Sequence, residues 1–204
     1  MLEVGPGSGV YLPVLSGLSR QVYGADIEDA YLNHARALLD EVDNLSLIVD
    51  DITDSDFPSG TFDLILCTEV IGHIADSQAA ISQMHRLLKP GGVLVLSTPQ
   101  RCSPLEMLAK IAFLPGVIQL VRLIYREPIL DSGHINLMTE TQVTHQLKTA
   151  GFSIVERHKS GMYLPFIAEF AGEKGLGLEK FLEKRFNGGF MDWMLWTQYY
   201  VARA

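Results

Sequence analysis

Cysteine is nearly missing: Cys67 and Cys102 are the two among 204 residues, and no CxxC spacing joins them. That excludes a disulfide framework and the usual zinc-ribbon or dithiol redox patterns, and a reducing, cytoplasmic setting is the expectation. Basic residues are in the minority, with 16 Lys and Arg against 24 Asp and Glu and a net charge of −8. No overall field attracts a phosphate backbone, so nucleic acid is not expected as a partner. Long apolar runs are also absent. The longest stretch, Pro104 to Tyr125, is broken by Glu106, Lys110, Pro115–Gly116, Gln119 and Arg122, whereas a membrane span needs ~20 predominantly apolar residues. The N-terminus lacks the charged-then-apolar order of a secretory signal, and neither repeats nor low-complexity tracts occur.

What is present suits one folded domain over residues 1–204, because 48% of the chain is hydrophobic and 20% charged, enough apolar material for one core. Apolar runs bounded by turn signals alternate with helix-period segments, which is how repeated βα units read, so the class is α/β with a mostly parallel sheet. Strands are expected at Met1–Val4, Gln21–Ile27, Leu45–Val49, Phe62–Thr68 and Val93–Thr98. Helices are expected at Val10–Leu18, along the apolar face from Ala30 through Leu39 to Val42, and at Ala75–Leu88. Pro13 fits only the first turn of its helix, Asp76 stands near the start of another, and Pro90–Gly91–Gly92 reads as a stop. Thr139 and Gln142 have capping-box spacing, predicting a helix that ends at Gly151. Strands near Phe152–Ser160 and Tyr199–Ala202 close the chain. Two insertions, 99–138 and 161–192, interrupt this alternation and are expected on the substrate side.

The informative stretch is Leu2-Glu3-Val4-Gly5-Pro6-Gly7-Ser8-Gly9, a strand running into three alternate glycines. Glycine permits positive φ and close approach of a ligand to bare backbone, although the same residues could make only a tight turn. Asp26 ends the next strand at close to the roughly 20-residue offset at which a carboxylate meets a ribose. It can also cap the following helix. The G-x-G-x-G spacing does not match the dinucleotide pattern, since Val10 and Leu12 stand where its third glycine would fall. Glu3 would repel a pyrophosphate but welcome a sulfonium or ammonium. The residues therefore favour a nucleoside ligand that carries positive charge.

With those pieces go Gly24-Ala25-Asp26-Ile27, Asp50-Asp51-Ile52, Phe57 to Asp63, Cys67-Thr68-Glu69-Val70-Ile71-Gly72-His73-Ile74 and Leu88-Lys89-Pro90-Gly91-Gly92. In these motifs, spread from Met1 to about Ser97, the sequence resembles the class I S-adenosylmethionine-dependent methyltransferases, especially the group with the ubiquinone and menaquinone biosynthesis enzymes. The resemblance implies a Rossmann-like, doubly wound α/β fold, with an antiparallel C-terminal strand and helical insertions. It implies S-adenosylmethionine as cofactor, with Glu3, Gly5, Gly7 and Gly9 at the methionine end and Asp26 with Ile27 at the ribose. Asp51 and Ile52 would hold adenine, and Thr68 and Glu69 would lie beside the cofactor. Loop capping is an equal reading of Asp51. Two departures stand out. Gly72 replaces a larger polar residue common in relatives, and Met1 falls inside the first strand, so an N-terminal lid is expected to be absent from this chain.

Methyl transfer needs alignment and exclusion of water, with proton removal added for an oxygen acceptor. His73 and His134 are the candidate catalytic residues, although either could be a helix cap or a hydrogen-bonded structural histidine. No metal cluster is expected. Two short apolar helices around Pro115–Gly116 read as a cap packed on the domain or, alternatively, as a surface for a lipid-like substrate or peripheral membrane contact. Phe113, Ile118, Tyr125 and Tyr163 are the candidate substrate contacts, with Phe166 and Phe170 as further lining. The expected partner is thus a small, hydrophobic or aromatic acceptor. A cofactor-binding protein without transfer activity and an NAD-type oxidoreductase are the other readings. The sequence leaves the oligomeric state open.

Overall fold

The computed structural model describes residues 1–38, 42–125, 134–164 and 167–204, with the backbone alone at 34, 37, 38, 120, 121, 124, 125 and 168–170. Its strands are β1 (Leu2–Val4), β2 (Val22–Asp26), β3 (Leu45–Val49), β4 (Phe62–Thr68), β5 (Leu88–Pro99), β6 (Ser153–Ser160) and β7 (Thr197–Arg203). They form one seven-stranded sheet in the order β3-β2-β1-β4-β5-β7-β6. β1 to β5 pair in parallel, and β7 runs antiparallel to both β5 and β6. This is the doubly wound, Rossmann-like sheet, with the C-terminal strand inserted beside the edge strand rather than added at the edge.

β1 is buried at all three positions, Glu3 included, because both faces of a parallel sheet are covered at its central strands. The helices are α1 (Leu12–Leu18), α2 (Asp29–Leu38), α3 (Ser77–Leu87), α4 (Pro104–Ala112), α5 (Val117–Tyr125), α6 (Glu140–Thr149) and α7 (Ile167–Phe186). Ile81, Met84 and Leu87 of α3 join Leu2, Ile65, Leu94 and Leu96 of the central strands in a fully buried core. Each such side chain contributes roughly 1.5–3 kcal/mol relative to exposure.

Local chemistry explains the boundaries. Asp76 caps α3 by accepting from the Ala79 amide, and the Thr139–Gln142 capping box is formed at α6, which stops before Gly151 at φ +102°. Pro13 occupies the first turn of α1, which begins two residues later than expected. Of the anticipated extension of α2 to Val42, residues 39–41 lie outside the described residues, and Val42 is not helical but accepts from the Leu45 amide ahead of β3. Pro90–Gly91–Gly92 does not precede a new strand: β5 starts at Leu88, pairs with Phe62, and resumes pairing only at Val93 with Leu64. The motif is therefore a bulge, where Pro90 needs no ladder donor and Gly91 takes φ +80°.

The insertion 99–138 closes at its base through a bridge between Gln100 and Met138. Its two helices, α4 and α5, form as expected, but they are not simply packed into the core. Met107, Leu108, Ile111, Leu114 and Leu123 are exposed, and the buried residue of α4 is Glu106. The insertion 161–192 is largely α7, broken at Gly172, where φ is +53° and ψ −136°. Among the described residues no helix is long and apolar enough to cross a membrane.

Candidate cofactor and acceptor site

The chain steps outward from β1 to β3 and then returns to β4 on the other side, so the sheet order reverses between β1 and β4. Ligands of open α/β sheets bind outside the carboxyl ends of the strands at such a point. Val4 is level with Ala25 of β2 and Cys67 of β4. Consequently Gly5, Asp26 and Thr68 emerge side by side, although they are far apart in sequence.

Gly5, Gly7 and Gly9 all have positive φ, +63°, +51° and +79°. A Cβ at Gly5 would lie 2.4 Å from Val70 Cγ2, whereas one at Gly7 would meet nothing within 4 Å. Gly5 is thus required by packing as well as by backbone conformation, while Gly7 leaves bare backbone beside open space. Behind the loop, Glu3 is 2% exposed and its Oε2 is buried without a hydrogen-bond partner among the described residues. Burial pushes its carboxyl up to about 7. An unsatisfied buried acceptor costs free energy that a cationic ligand would recover, so these residues fit a nucleoside bearing a sulfonium and an ammonium.

Asp26 Oδ1 accepts from the Glu28 amide at 3.1 Å, which closes a turn ahead of α2 and does not cap the helix, whose first residue is Asp29. Ile27, 63% exposed, follows Asp26. Asp51 Oδ1 accepts from the Thr53 amide at 2.8 Å and from its hydroxyl at 2.7 Å, which is the loop-capping role. Ile52 is buried in the core cluster. Asp50, which sequence reasoning passed over, caps the Asp56 amide and keeps a buried Oδ2 without a partner among the described residues. Its amide donates to the Asp26 carbonyl, tying the two acidic loops together. Asp26→Ala is expected to weaken adenosyl ligand binding by roughly 1–3 kcal/mol. Calorimetric titration of a folded mutant with unchanged affinity would reject a ribose role.

Beyond β4, Glu69 adopts φ +60°, an uncommon conformation for a residue with a side chain. Ser97 holds it there: the Glu69 amide donates to the Ser97 carbonyl and hydroxyl oxygens, and that hydroxyl donates to Glu69 Oε1 at 2.7 Å. Burial raises the Glu69 carboxyl above its usual range, against the lowering influence of Ser97, His134 and His73. His73 ends the 3-10 turn Ile71–His73, and its ring lies 4.8 Å from that of His134, centroid to centroid. Residues 131–133, which precede His134, lie outside the described residues. His134 Nδ1 stands 3.4 Å from Glu106 Oε1, which also accepts from Trp196 Nε1 at 2.9 Å.

The structure therefore brings both candidate histidines together with Glu69, and adds Ser97, Glu106 and Trp196. Glu106 was visible in the sequence only as a charge interrupting an apolar stretch; that charge is the signal. Phe113 and Ile118 are half-buried in the α4–α5 hairpin, and Tyr163 is half-buried between β6 and α7. The Tyr125 side chain and Phe166 lie outside the described residues, as does the Phe170 side chain. Among the described residues no group of three His, Cys, Asp or Glu is placed to hold a metal.

Residues 1–157 match the methyltransferase domain family. The chain belongs to the class I S-adenosylmethionine-dependent methyltransferases. It is 29% identical over 154 residues to a Mycolicibacterium smegmatis protein named "Probable S-adenosylmethionine-dependent methyltransferase", covering 76% of this chain and 52% of that one. It is 33% identical over 105 residues to the ubiquinone biosynthesis O-methyltransferase of Alkalilimnicola ehrlichii, covering 50% and 42%. The chain thus spans about half the length of these curated relatives. In fold it is similar to an S-adenosylmethionine-dependent methyltransferase from Mesorhizobium loti, with a TM-score of 0.67, 18% identity and coverage of 100% and 89%. The family's cofactor is S-adenosylmethionine, in agreement with the chemistry of Glu3 and the glycine loop.

Proposed function

We propose that this methyltransferase-family protein transfers a methyl group from S-adenosylmethionine to a small, hydrophobic or aromatic acceptor. The observation that carries the cofactor half is the buried Glu3 Oε2, without a hydrogen-bond partner among the described residues, behind a glycine loop of positive φ. When bound, S-adenosylmethionine supplies a methyl whose carbon–sulfur bond breaks, its electron pair going to sulfur, as the acceptor atom bonds to the carbon. Glu3, Gly5, Gly7 and Gly9 hold the methionine end in this reading, Asp26 and Ile27 the ribose, and Asp51 and Ile52 the adenine. Thr68 and Glu69 border the reacting end, with His73 and His134 placed to handle a proton. The acceptor half is supported by the apolar side chains exposed on the α4–α5 hairpin and by the printed name of the ubiquinone-pathway relative. The insertions 99–138 and 161–192 form the acceptor side, with Phe113, Ile118, Tyr125 and Tyr163 as contacts. Both cysteines are free thiols, which supports a cytoplasmic setting.

S-adenosylmethionine and S-adenosylhomocysteine are expected to raise the melting temperature and NAD to leave it unchanged, because a ligand stabilises only the state it binds. A thermal-shift titration checks this. A shift with NAD alone would reject the reading. Transfer is then tested with labelled cofactor against a metabolite extract: a binding protein without activity would shift in the first experiment and label nothing in the second.

A further inference from the structure

The two edges of the sheet are unlike. β6 carries Glu156, Arg157 and Lys159, is bulged between Ile154 and Glu156, and has its Lys159 carbonyl taken by the Asn187 side chain. Charge, a bulge and a covering group are the usual guards of an exposed edge. β3, at the opposite edge, has none of them: Leu45-Ser46-Leu47-Ile48-Val49 holds no charge, proline or glycine and pairs with β2 in unbroken register. Just beyond its ends, the Asn44 carbonyl accepts from the Val22 amide and the Asp50 amide donates to the Asp26 carbonyl, so the even-numbered residues turn their backbone groups to β2. Those groups alternate between the two edges of a strand. The N–H and C=O of Leu47 and Val49 therefore lie on the open side, without a partner among the described residues, whereas the Leu45 amide is closed off by the Val42 carbonyl. The Val49 residue is 52% exposed.

Charge selects the occupant of this edge. Asp43 precedes β3, Asp50, Asp51, Asp54 and Asp56 follow it, and no Lys or Arg occurs between Arg36 and Arg86. A second copy laid antiparallel with Leu47 opposite Leu47 would set Asp43 opposite Asp51 at both ends, and a parallel copy in register would set each aspartate beside itself. Like charges directly opposite are destabilising. We propose that β3 is a docking edge for an extended segment of another protein, an apolar strand with Lys or Arg at each end. That segment continues the sheet through the backbone of Leu47 and Val49. Its basic ends meet Asp43 on one side and Asp50 with Asp51 on the other, which fixes the register and rejects acidic strands. The inference goes beyond methyl transfer and does not depend on it.

The test is fluorescence anisotropy of the full chain with a labelled peptide, Lys-Lys-Val-Thr-Val-Thr-Val-Lys-Lys. Two further peptides carry glutamate for every lysine or proline for the middle valine. The lysine peptide is expected to bind, and each of the others to bind at least about tenfold more weakly. Val49→Pro removes an outward N–H, a place where an edge strand tolerates proline. Its Tm should stay close to wild type while peptide affinity falls at least about tenfold. Ile48→Pro, which removes an N–H directed to β2, should lower Tm instead. If Val49→Pro does not fold, Val49→Lys puts a cation on the edge at a half-exposed side chain and should weaken the lysine peptide about as much. Absence of lysine-peptide binding, equal binding of the proline peptide, or unchanged affinity in the Val49 variants overturns the proposal. So does a dimer of the free chain in sedimentation that Val49→Pro dissociates, since the edge would then belong to a second copy.

Discussion

Replacing Glu3 by glutamine is expected to stabilise the ligand-free protein at pH 8 and to weaken S-adenosylmethionine binding about 10- to 100-fold, the usual range for a lost hydrogen bond to a charged group. The two effects have opposite signs because the carboxylate is costly until its ligand arrives. In the folded chain burial pushes the Glu3 carboxyl up to about 7, from an ordinary value of 4.5. Between those values the native state binds more protons than the unfolded state, so stability falls as pH rises. The contribution is present in full below about 4.5 and lost by about 7. A neutral amide removes this dependence, so the gain in Tm seen at pH 8 should vanish near pH 5. Binding of a cation favours the carboxylate and expels the proton. Wild-type affinity should therefore decline below pH 7, by at most tenfold per unit, and the glutamine variant should show a flatter profile. Melting curves and calorimetric titrations at pH 5, 6, 7 and 8 check both halves. A variant that binds as tightly as wild type at pH 8 would remove Glu3 from the cofactor site.

Gly5→Ala is expected to cost roughly 2–4 kcal/mol of stability, because a left-handed φ and an overpacked contact each cost about 1 kcal/mol or more. The contact is the 2.4 Å approach to Val70 Cγ2. Gly7→Ala meets no atom within 4 Å, so only its positive φ costs stability, about 1 kcal/mol, while the new methyl intrudes where a ligand would approach the backbone. The pair separates packing from binding: Gly5→Ala should lower Tm most, whereas Gly7→Ala should lower cofactor affinity with most of the Tm retained. Val70→Ala combined with Gly5→Ala should recover the steric share alone, giving a favourable coupling energy in a double-mutant cycle. Additive losses would show that the loop shifts to avoid Val70.

Much of the sheet was legible because its signals are local. An apolar run between turn residues reads as a strand, and β3 and β4 fall on the expected residues. The cap at Asp76 and the box at Thr139–Gln142 are also local chemistry, needing only three-residue spacing. The bulge in β5 was misread because a glycine pair after proline signals a turn equally well when a strand continues past it. The α4–α5 hairpin was left open between a packed cap and an exposed binding surface because hydrophobic spacing identifies a face without saying what covers it.

By itself the sequence determined the alternation of strands and helices, the glycine loop, and the order of acidic residues at the strand ends. These depend on residue type and spacing along one chain. Only the tertiary structure decided which loops meet. The register of Val4 with Ala25 and Cys67 places the glycine loop beside Asp26 and Thr68. The return of β7 between β5 and β6 brings Trp196 to Glu106, and Glu106 to His134. Residues 106, 134 and 196 share no periodicity and no motif. Their meeting is set by strand order and by the need of a buried carboxylate for partners, and neither is expressed in the spacing of a single segment.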